Sequence, residues 1–161
     1  MSEIFRGEVV LESNDIKRLL EPSVFYVGAT FSDDCQMDRF INRGIWENGH
    51  DDDVQRYVER FEKMKKGDFI VIKRLNGKAA TTMRILAIGI CLGRISSKDC
   101  NVAWIRKNLK MEVPLVEIGT ISQPKDILNE DEVHPELRDT IERARIRFLR
   151  THLNKITLTN Y

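Results

Sequence analysis

Cysteine and histidine are the residue types in this sequence that could hold a metal ion or pair as nucleophile and base. Cys35, Cys91 and Cys100 form no CxxC pair, and the three histidines stand far from any of them in the sequence. Zinc sites need such ligands at short spacings. Nucleophile elbows, GxxxxGK[ST] loops and GxGxxG loops are also missing from the sequence. We therefore expect no metal site, no cofactor and no enzymatic activity in this chain.

Aromatic side chains are the groups that could bind a planar ligand. Trp46 stands in the turn-rich segment RGIWENG between two predicted helices, and Trp104 lies on a predicted strand. An indole beside an opening in a sheet can stack on a nucleobase, which contributes roughly 1–3 kcal/mol per base. The alternative is that Trp46 is a large core residue that closes one end of the sheet.

Charge is balanced over the whole chain of 161 residues, with a formal net charge of +1. This neither requires nor excludes a polyanionic partner, so any basic surface must be local. Two stretches are locally basic: Arg106 to Lys110, and a helical pattern with five arginines between 138 and 150. If they follow phosphates, both should lie around the same opening as Trp46.

Composition and the termini limit where the protein works. The chain is 42% hydrophobic and 32% charged, as in ordinary globular proteins. Its odd number of cysteines favours reduced thiols. The sequence contains no signal peptide pattern and no apolar run long enough to span a membrane. We expect a cytoplasmic protein with no membrane partner.

Apolar runs predict the strands that must position these groups. FYVGATF, at Phe25–Phe31, is a short aromatic and β-branched run. FIVIK and MRILAIGICLG are apolar on both faces and predict neighbouring central strands. Two more strands are expected at Asn101–Ile105 and Val113–Ile121. Because strands and helices do not alternate regularly, the pattern favours an α+β fold with a curved, mostly antiparallel sheet.

Helices are expected near 34–43 and 53–66, where apolar residues recur at intervals of three and four. Gly44 and Gly67 should end them. Three aspartates at 51–53 fit the start of the second helix better than a magnesium site. A third helix, with the apolar stripe Leu137, Ile141, Ala144 and Phe148, should pack outside the core. Residues 1–122 would then form a recognition domain, and residues 123–161 a helical linker.

The order of these features resembles YTH and EVE domains of the PUA-like superfamily. The resemblance covers about Val24 to Ile121 and rests on FYVGATF, the polar SDD, a short helix and RGIWENG. WENGHDD, MKKGDFIVIK, ILAIGI and NVAW are similar to the EVE-like domains of McrB-type restriction ATPases. The resemblance to this superfamily implies an open barrel or curved sheet with packed helices. Such a domain accepts a flipped or unpaired base in an aromatic cage.

The resemblance also implies which residues bind. Trp46 matches the tryptophan of the cage, and the polar segment after the first strand matches groups that hydrogen-bond the base edge. The candidate base-binding residues are Phe31, Ser32, Asp33, Asp34, Trp46, Asn48 and Trp104. The candidate phosphate-binding residues are Arg106, Lys107 and Lys110.

The last nine residues carry a second resemblance. LNKITLTNY is similar to the opening strand of ABC-type ATPases of the SMC and RecF kind. It implies that residues 123–161 lead into an ATPase domain of a longer chain. The alternative is a C-terminal strand that pairs with the sheet of this domain.

Two functional classes follow from the sequence. The first is a nucleic-acid reader, for DNA rather than RNA, that recognises a flipped or modified base for a prokaryotic restriction or antiphage ATPase. The second is a sensor or docking module that binds a nucleotide-like small molecule or a protein segment. An enzyme related to ASCH domains is disfavoured, because no paired lysine and carboxylate occur at a recognisable spacing.

Overall fold

The structure is a computed structural model, which describes residues 9–10, 12–31, 34–49, 55–77, 81–152 and 156–157. The helices are α1 (Ser13–Leu20), α2 (Met37–Arg43), α3 (Gln55–Glu62) and α4 (Pro135–His152). The strands are β1 (Val9–Val10), β2 (Ser23–Val27), β3 (Thr30–Phe31), β4 (Asp34–Cys35), β5 (Ile45–Glu47), β6 (Phe69–Leu75), β7 (Thr82–Arg94), β8 (Asp99–Arg106), β9 (Met111–Pro114), β10 (Lys125–Asp126) and β11 (Ile156–Thr157).

A curled, mostly antiparallel sheet organises the molecule. Its strands follow the order β10-β2-β6-β7-β8-β5, and β9 pairs with the first part of β7. Only β2 and β6 run parallel within this sheet, because a long connection containing α2 and α3 joins them. Two small pairs, β1 with β11 and β3 with β4, complete the described strands. The half-barrel with packed helices confirms the predicted α+β class.

Both faces of the sheet are buried, as the apolar runs predicted. Along β2, Val24 and Tyr26 face one cluster, the first core, while Phe25 and Val27 face the other, the second core. The residues of β6 alternate in the same way. Helix α4 covers the first core, and helices α2 and α3 cover the second. A run without polar residues therefore encodes a strand between two layers of helices.

Irregular pairing along β7 lets this strand of 13 residues follow the curl of the sheet. The register shifts between Ile88 and Gly89, and again between Cys91 and Gly93. Such bulges increase local twist and bend the strand. Gly89 also allows close packing, since a Cβ there would lie 2.7 Å from Cε3 of Trp104.

Helix α4 corrects the expectation that residues beyond 123 pack outside the core. Its stripe, Leu137, Ile141, Ala144 and Phe148, is buried in the first core together with residues of β2, β6, β7 and β8. The helix is thus part of the same packed unit as the sheet. The sequence shows an amphipathic helix, but it does not show which apolar surface that helix covers.

Two strand predictions were too long. FYVGATF is not one strand, because β2 ends at Val27 and the chain continues as the short β3. Val113–Ile121 is divided as well: β9 ends at Pro114, and only Ile121 makes a bridge to Val27. Proline has no N–H for a ladder, and Gly119 has a φ of 130°, so the chain leaves the strand conformation between them.

The two central helices were predicted near their observed positions, but the first prediction began too early and the second ended too late. Helix α3 ends at Glu62, where the N–H groups of Lys63 and Met64 donate to carbonyls three residues back. Gly44 has a positive φ and ends α2, as predicted, whereas α3 ends before Gly67, whose positive φ belongs to the turn that precedes β6. The aspartates at 51–53, which were expected at the start of α3, lie outside the described residues.

Asp68 is a buried carboxylate that joins three elements. It accepts the N–H groups of Ser23 and Lys65, at 3.0 and 2.8 Å, and its Oδ1 lies 3.7 Å from the guanidinium of Arg18. Burial raises the pKa of Asp68 despite these bonds. The carboxylate fixes the start of β2 against the turn after α3.

Candidate nucleic-acid interface

Trp46, the main candidate for base stacking, lies in the middle of β5 opposite Cys100 of β8. Its indole is fully buried in the second core, 5.8 Å from the Phe61 ring between centroids. The indole N–H donates to the carbonyl of Gly28 at 2.9 Å. This is the geometry that the core alternative predicted, and base stacking by Trp46 stays a prediction.

Trp104 lies on the same face of the sheet. Its side chain is buried in the second core, and its indole N–H donates to the carbonyls of Phe40 and Ile45, at 3.0 and 3.2 Å. The two tryptophans therefore belong to one cluster, as a cage would require. The indole N–H of Trp104 joins β8 to the segment around α2, and that of Trp46 joins β5 to the residue after β2.

The polar base-binding candidates are placed only in part. Asp34 is exposed on β4, and Asn48 is buried beyond β5, where its N–H donates to the carbonyl of Lys98 at 2.8 Å. Ser32 and Asp33 lie outside the described residues, as does the side chain of Phe31. The hydrogen bonds predicted for them with a base edge stay predictions.

Neither predicted basic stretch lies near Trp46. Cys100 lies opposite Trp46, and Arg106 follows Cys100 by six positions along β8, which corresponds to about 20 Å. Lys107 and Lys110 continue away from it, and the arginines of α4 belong to a helix that packs on the first core. The structure therefore does not bring these stretches together around the tryptophan.

A different set of cations lies beside the second core, on α3. Arg56 donates to the hydroxyl oxygen of Tyr57 at 3.2 Å, and its guanidinium carbon lies 4.7 Å from the centre of that ring. Arg60 lies 5.9 Å from the same ring and donates to the carbonyl of Ile121 at 2.9 Å. Arg60 therefore holds the segment around Ile121 against the helix, while Arg56 contacts the ring and hydroxyl of Tyr57.

Glu117 is the carboxylate at the centre of this group. Its two oxygens lie 2.9 Å from Arg60 and 2.8 Å from Lys125, and it also accepts the N–H of Gln123. All three charged side chains are largely buried. One carboxylate therefore balances two cations, and the local charge stays positive.

Lys73, near the end of β6, adds a fourth cation. Its side chain is 7% exposed, and among the described residues no hydrogen bond or ion pair reaches its ammonium. Burial lowers its pKa, while the charges of Glu117 and Tyr57 act in the opposite direction. The ammonium keeps some contact with solvent, since among the described residues the fully buried polar atoms without a partner are Nε of Arg60 and Nε of Arg106. A mostly buried ammonium without a protein partner marks a candidate site for an anion.

Tyr57 connects this group to the tryptophan. Burial acts to raise the pKa of its hydroxyl, but hydrogen bonds from Arg56 and Thr120 together lower it. The carbonyl of Thr120 accepts the N–H of Gly28 at 2.8 Å, and the carbonyl of Gly28 accepts the indole N–H of Trp46. A continuous series of hydrogen bonds thus runs from Trp46 to Arg56.

We call Arg56, Arg60, Lys73 and Lys125, grouped around Tyr57 and Glu117, the α3 cationic cluster. Its members come from four separate segments of the chain, so their grouping was not predicted from the sequence. One local signal was present: Arg56, Arg60 and Lys63 recur at spacings that place them on one face of a helix. Chemically, the cluster is suited to hold an anion.

In the part of the chain that the structure describes, no three His, Cys, Asp or Glu side chains are grouped to hold a metal ion. Within the same ranges, no helix has the length and apolar character needed to cross a membrane.

Comparisons with known proteins find a distant similarity among solved structures. No protein-family model matches the chain, and no curated protein does. Among solved structures, the chain is similar to the YTH domain of the MRB1 protein of Zygosaccharomyces rouxii, determined in complex with N6-methyladenosine RNA. The identity is 13%, the alignment covers 77% of this chain and 86% of that one, and the TM-score is 0.37. A similarity this distant carries no argument about function.

Proposed function

We propose that this chain is a nucleic-acid-binding domain that uses the α3 cationic cluster to hold phosphate groups. The observation that carries the proposal is a group of four cations around the single carboxylate Glu117, of which Arg56 is exposed and the other three are buried or half-buried. Phosphates bind arginine and lysine through charge-assisted hydrogen bonds. An anion there would also supply the partner that the ammonium of Lys73 lacks.

The finer part of the proposal concerns the base. Hydrogen bonds connect the cluster to Trp46, so a phosphate at Arg56 would bring its own nucleotide toward the tryptophans. We propose that the base is flipped or modified, since an extruded base needs an aromatic surface and polar edge partners. Trp46 is fully buried, so a base would reach its indole only by displacing the side chains that cover it.

From the sequence resemblance, we propose that the ligand is DNA and that the domain works together with a restriction or antiphage ATPase. In this proposal the chain recognises and another domain does the chemistry. The YTH domain reported above was determined with RNA, so both polymers belong in the experiment.

The test measures the affinity for single- and double-stranded DNA and RNA oligonucleotides as a function of salt. If Arg56 contacts a phosphate, Arg56→Gln should weaken binding to every sequence and lower the slope of log K against log salt by about one. Arg43→Gln removes an exposed arginine at the end of α2 and is the matched control. It should leave the slope unchanged.

The same titration separates the two basic regions. Arg106→Gln and Lys107→Gln should lower the slope if the sequence-based assignment is right, and leave it unchanged if phosphates are held by the α3 cationic cluster. Binding to none of the oligonucleotides, or a slope that Arg56→Gln does not alter, would contradict the proposal.

A further inference from the structure

An open groove lies at the edge of the sheet, on the side of helices α1 and α4. It has a volume of about 560 Å³, within the range of pockets that bind ligands. The end of α1, the edge strand β10 and the turn that follows it form the walls, and Glu142 of α4 closes one side.

The surface of the groove combines exposed leucines with carboxylates. Leu20 is 56% exposed and Leu128 is 74% exposed, and both line the groove. The acidic side chains that line it are Glu21, Asp126, Glu132 and Glu142. The one basic side chain in the lining, Lys125, is bound to Glu117, and among the carboxylates Glu142 is bound to Arg145 and Glu132 accepts the N–H of Asp126. The groove therefore combines exposed apolar side chains with an excess of carboxylates over cations.

Hydrogen bonds hold the walls of this groove in place. Arg145 of α4 donates to the carbonyls of Leu19 and Leu20, at 3.3 and 2.7 Å. On the other wall, the hydroxyl of Tyr26 donates to the carbonyl of Glu132, and Asp126 accepts the N–H of Leu128 at 2.9 Å. A preformed groove loses little conformational entropy when it is filled.

We propose that this groove docks a basic, amphipathic segment of a partner protein. A leucine-like side chain of that segment would lie between Leu20 and Leu128, and flanking lysine or arginine residues would reach the carboxylates. Charge complementarity selects this occupant, because the carboxylates repel nucleic acid and acidic peptides. Exposed leucines contribute the apolar area that protein docking sites use.

The experiment uses the intact chain and a labelled synthetic peptide in which leucines are flanked by lysine and arginine. The peptide should bind, and Leu128→Ser should raise its Kd about tenfold by removing apolar contact area. Ile95→Ser is the matched control, since Ile95 is 53% exposed in a turn far from the groove in sequence. It should leave the Kd unchanged.

Charge is tested separately with Glu21→Lys, which should weaken binding at low salt, by a factor that shrinks as salt rises. Glu62→Lys, at an exposed position of α3, should have no such effect. Equal Kd values for Leu128→Ser and Ile95→Ser would overturn the proposal. So would equal binding of a peptide with glutamate in place of its lysines and arginines.

Sedimentation velocity distinguishes a second copy of this chain from a separate partner. A dimer that forms with rising concentration and is abolished by Leu128→Ser would assign the groove to self-association and overturn the proposal. Loss of oligonucleotide binding would not affect it, because the groove and the α3 cationic cluster are tested with different variants.

Discussion

The two faces of the sheet are covered in different ways. One helix of 18 residues, α4, covers the first core with a continuous apolar stripe. The second core is covered by α2 and α3, which have only 7 and 8 residues, and it contains both tryptophans. Polar groups that need partners, the two indole N–H groups and the Tyr57 hydroxyl, border this second core. Both faces are packed, but the candidate binding site lies on the second.

The largest effect is expected for Trp46→Ala. Removing a fully buried indole should lower the free energy of unfolding by about 3–5 kcal/mol and leave the carbonyl of Gly28 without its donor. If the indole also stacks on a base, the folded protein should bind oligonucleotides roughly 1–3 kcal/mol more weakly. Urea unfolding and binding are measured on the same variant.

Trp46→Phe and Asp33→Asn complete this test. Phenylalanine should keep part of both the packing and any stacking. Asp33→Asn should change discrimination among modified bases more than affinity, because it alters an acceptor and keeps the aromatic surface. Trp46 is only a core residue if Trp46→Ala destabilises the fold and if neither Trp46→Phe nor Asp33→Asn alters oligonucleotide binding by the folded protein.

Phe148→Ala tests the other side of the comparison. Phe148 is fully buried between α4 and the sheet, so its truncation should also cost about 3–5 kcal/mol of folding free energy. The affinity of the folded protein for oligonucleotides should stay unchanged, because α4 covers the opposite face. A small stability loss would mean that α4 is the appended segment that the sequence analysis expected. A specific loss of affinity would move the binding site toward α4.

Local pattern was sufficient to predict the central strands, but not the edge strands β5 and β10. The runs at 69–73 and 83–93 are apolar at nearly every position, as is typical of strands that are buried on both faces. Gly44 marked the end of α2, because a positive φ is accessible to glycine at little cost. These features depend on a few neighbouring residues, so the sequence displays them directly.

Contacts between distant segments could not be predicted in this way. The acceptor of Trp46 is Gly28, 18 residues earlier, and the α3 cationic cluster joins residues 56–60 to positions 73, 117 and 125. Lys73 looked like the end of an apolar run, and Arg106 looked like the better phosphate ligand because its basic neighbours are adjacent in sequence. Charge near a site is set by tertiary structure, which a linear charge run does not report.

The smallest effect, and the sharpest test of the second face, is expected for Lys73→Met. A methionine of similar length removes a buried ammonium that lacks a partner, so at neutral pH the variant should be about as stable as the wild type or roughly 1 kcal/mol more stable. Its affinity for oligonucleotides should nevertheless fall. Burial lowers the pKa of Lys73 below its ordinary value of 10.5. Between the lowered pKa and 10.5, the unfolded chain therefore binds more protons at this position than the folded one, and the stability contributed by Lys73 rises with pH.

Urea titrations across the alkaline range should show this rise in stability for the wild type and not for Lys73→Met. Arg74→Met is the control for a change of surface charge, because Arg74 lies on the exposed side of the same strand. A Lys73→Met protein that is less stable than the wild type at neutral pH would mean that the ammonium stabilises the fold. The lysine would then be retained for structure, and the main reason to place an anion at the α3 cationic cluster would be lost.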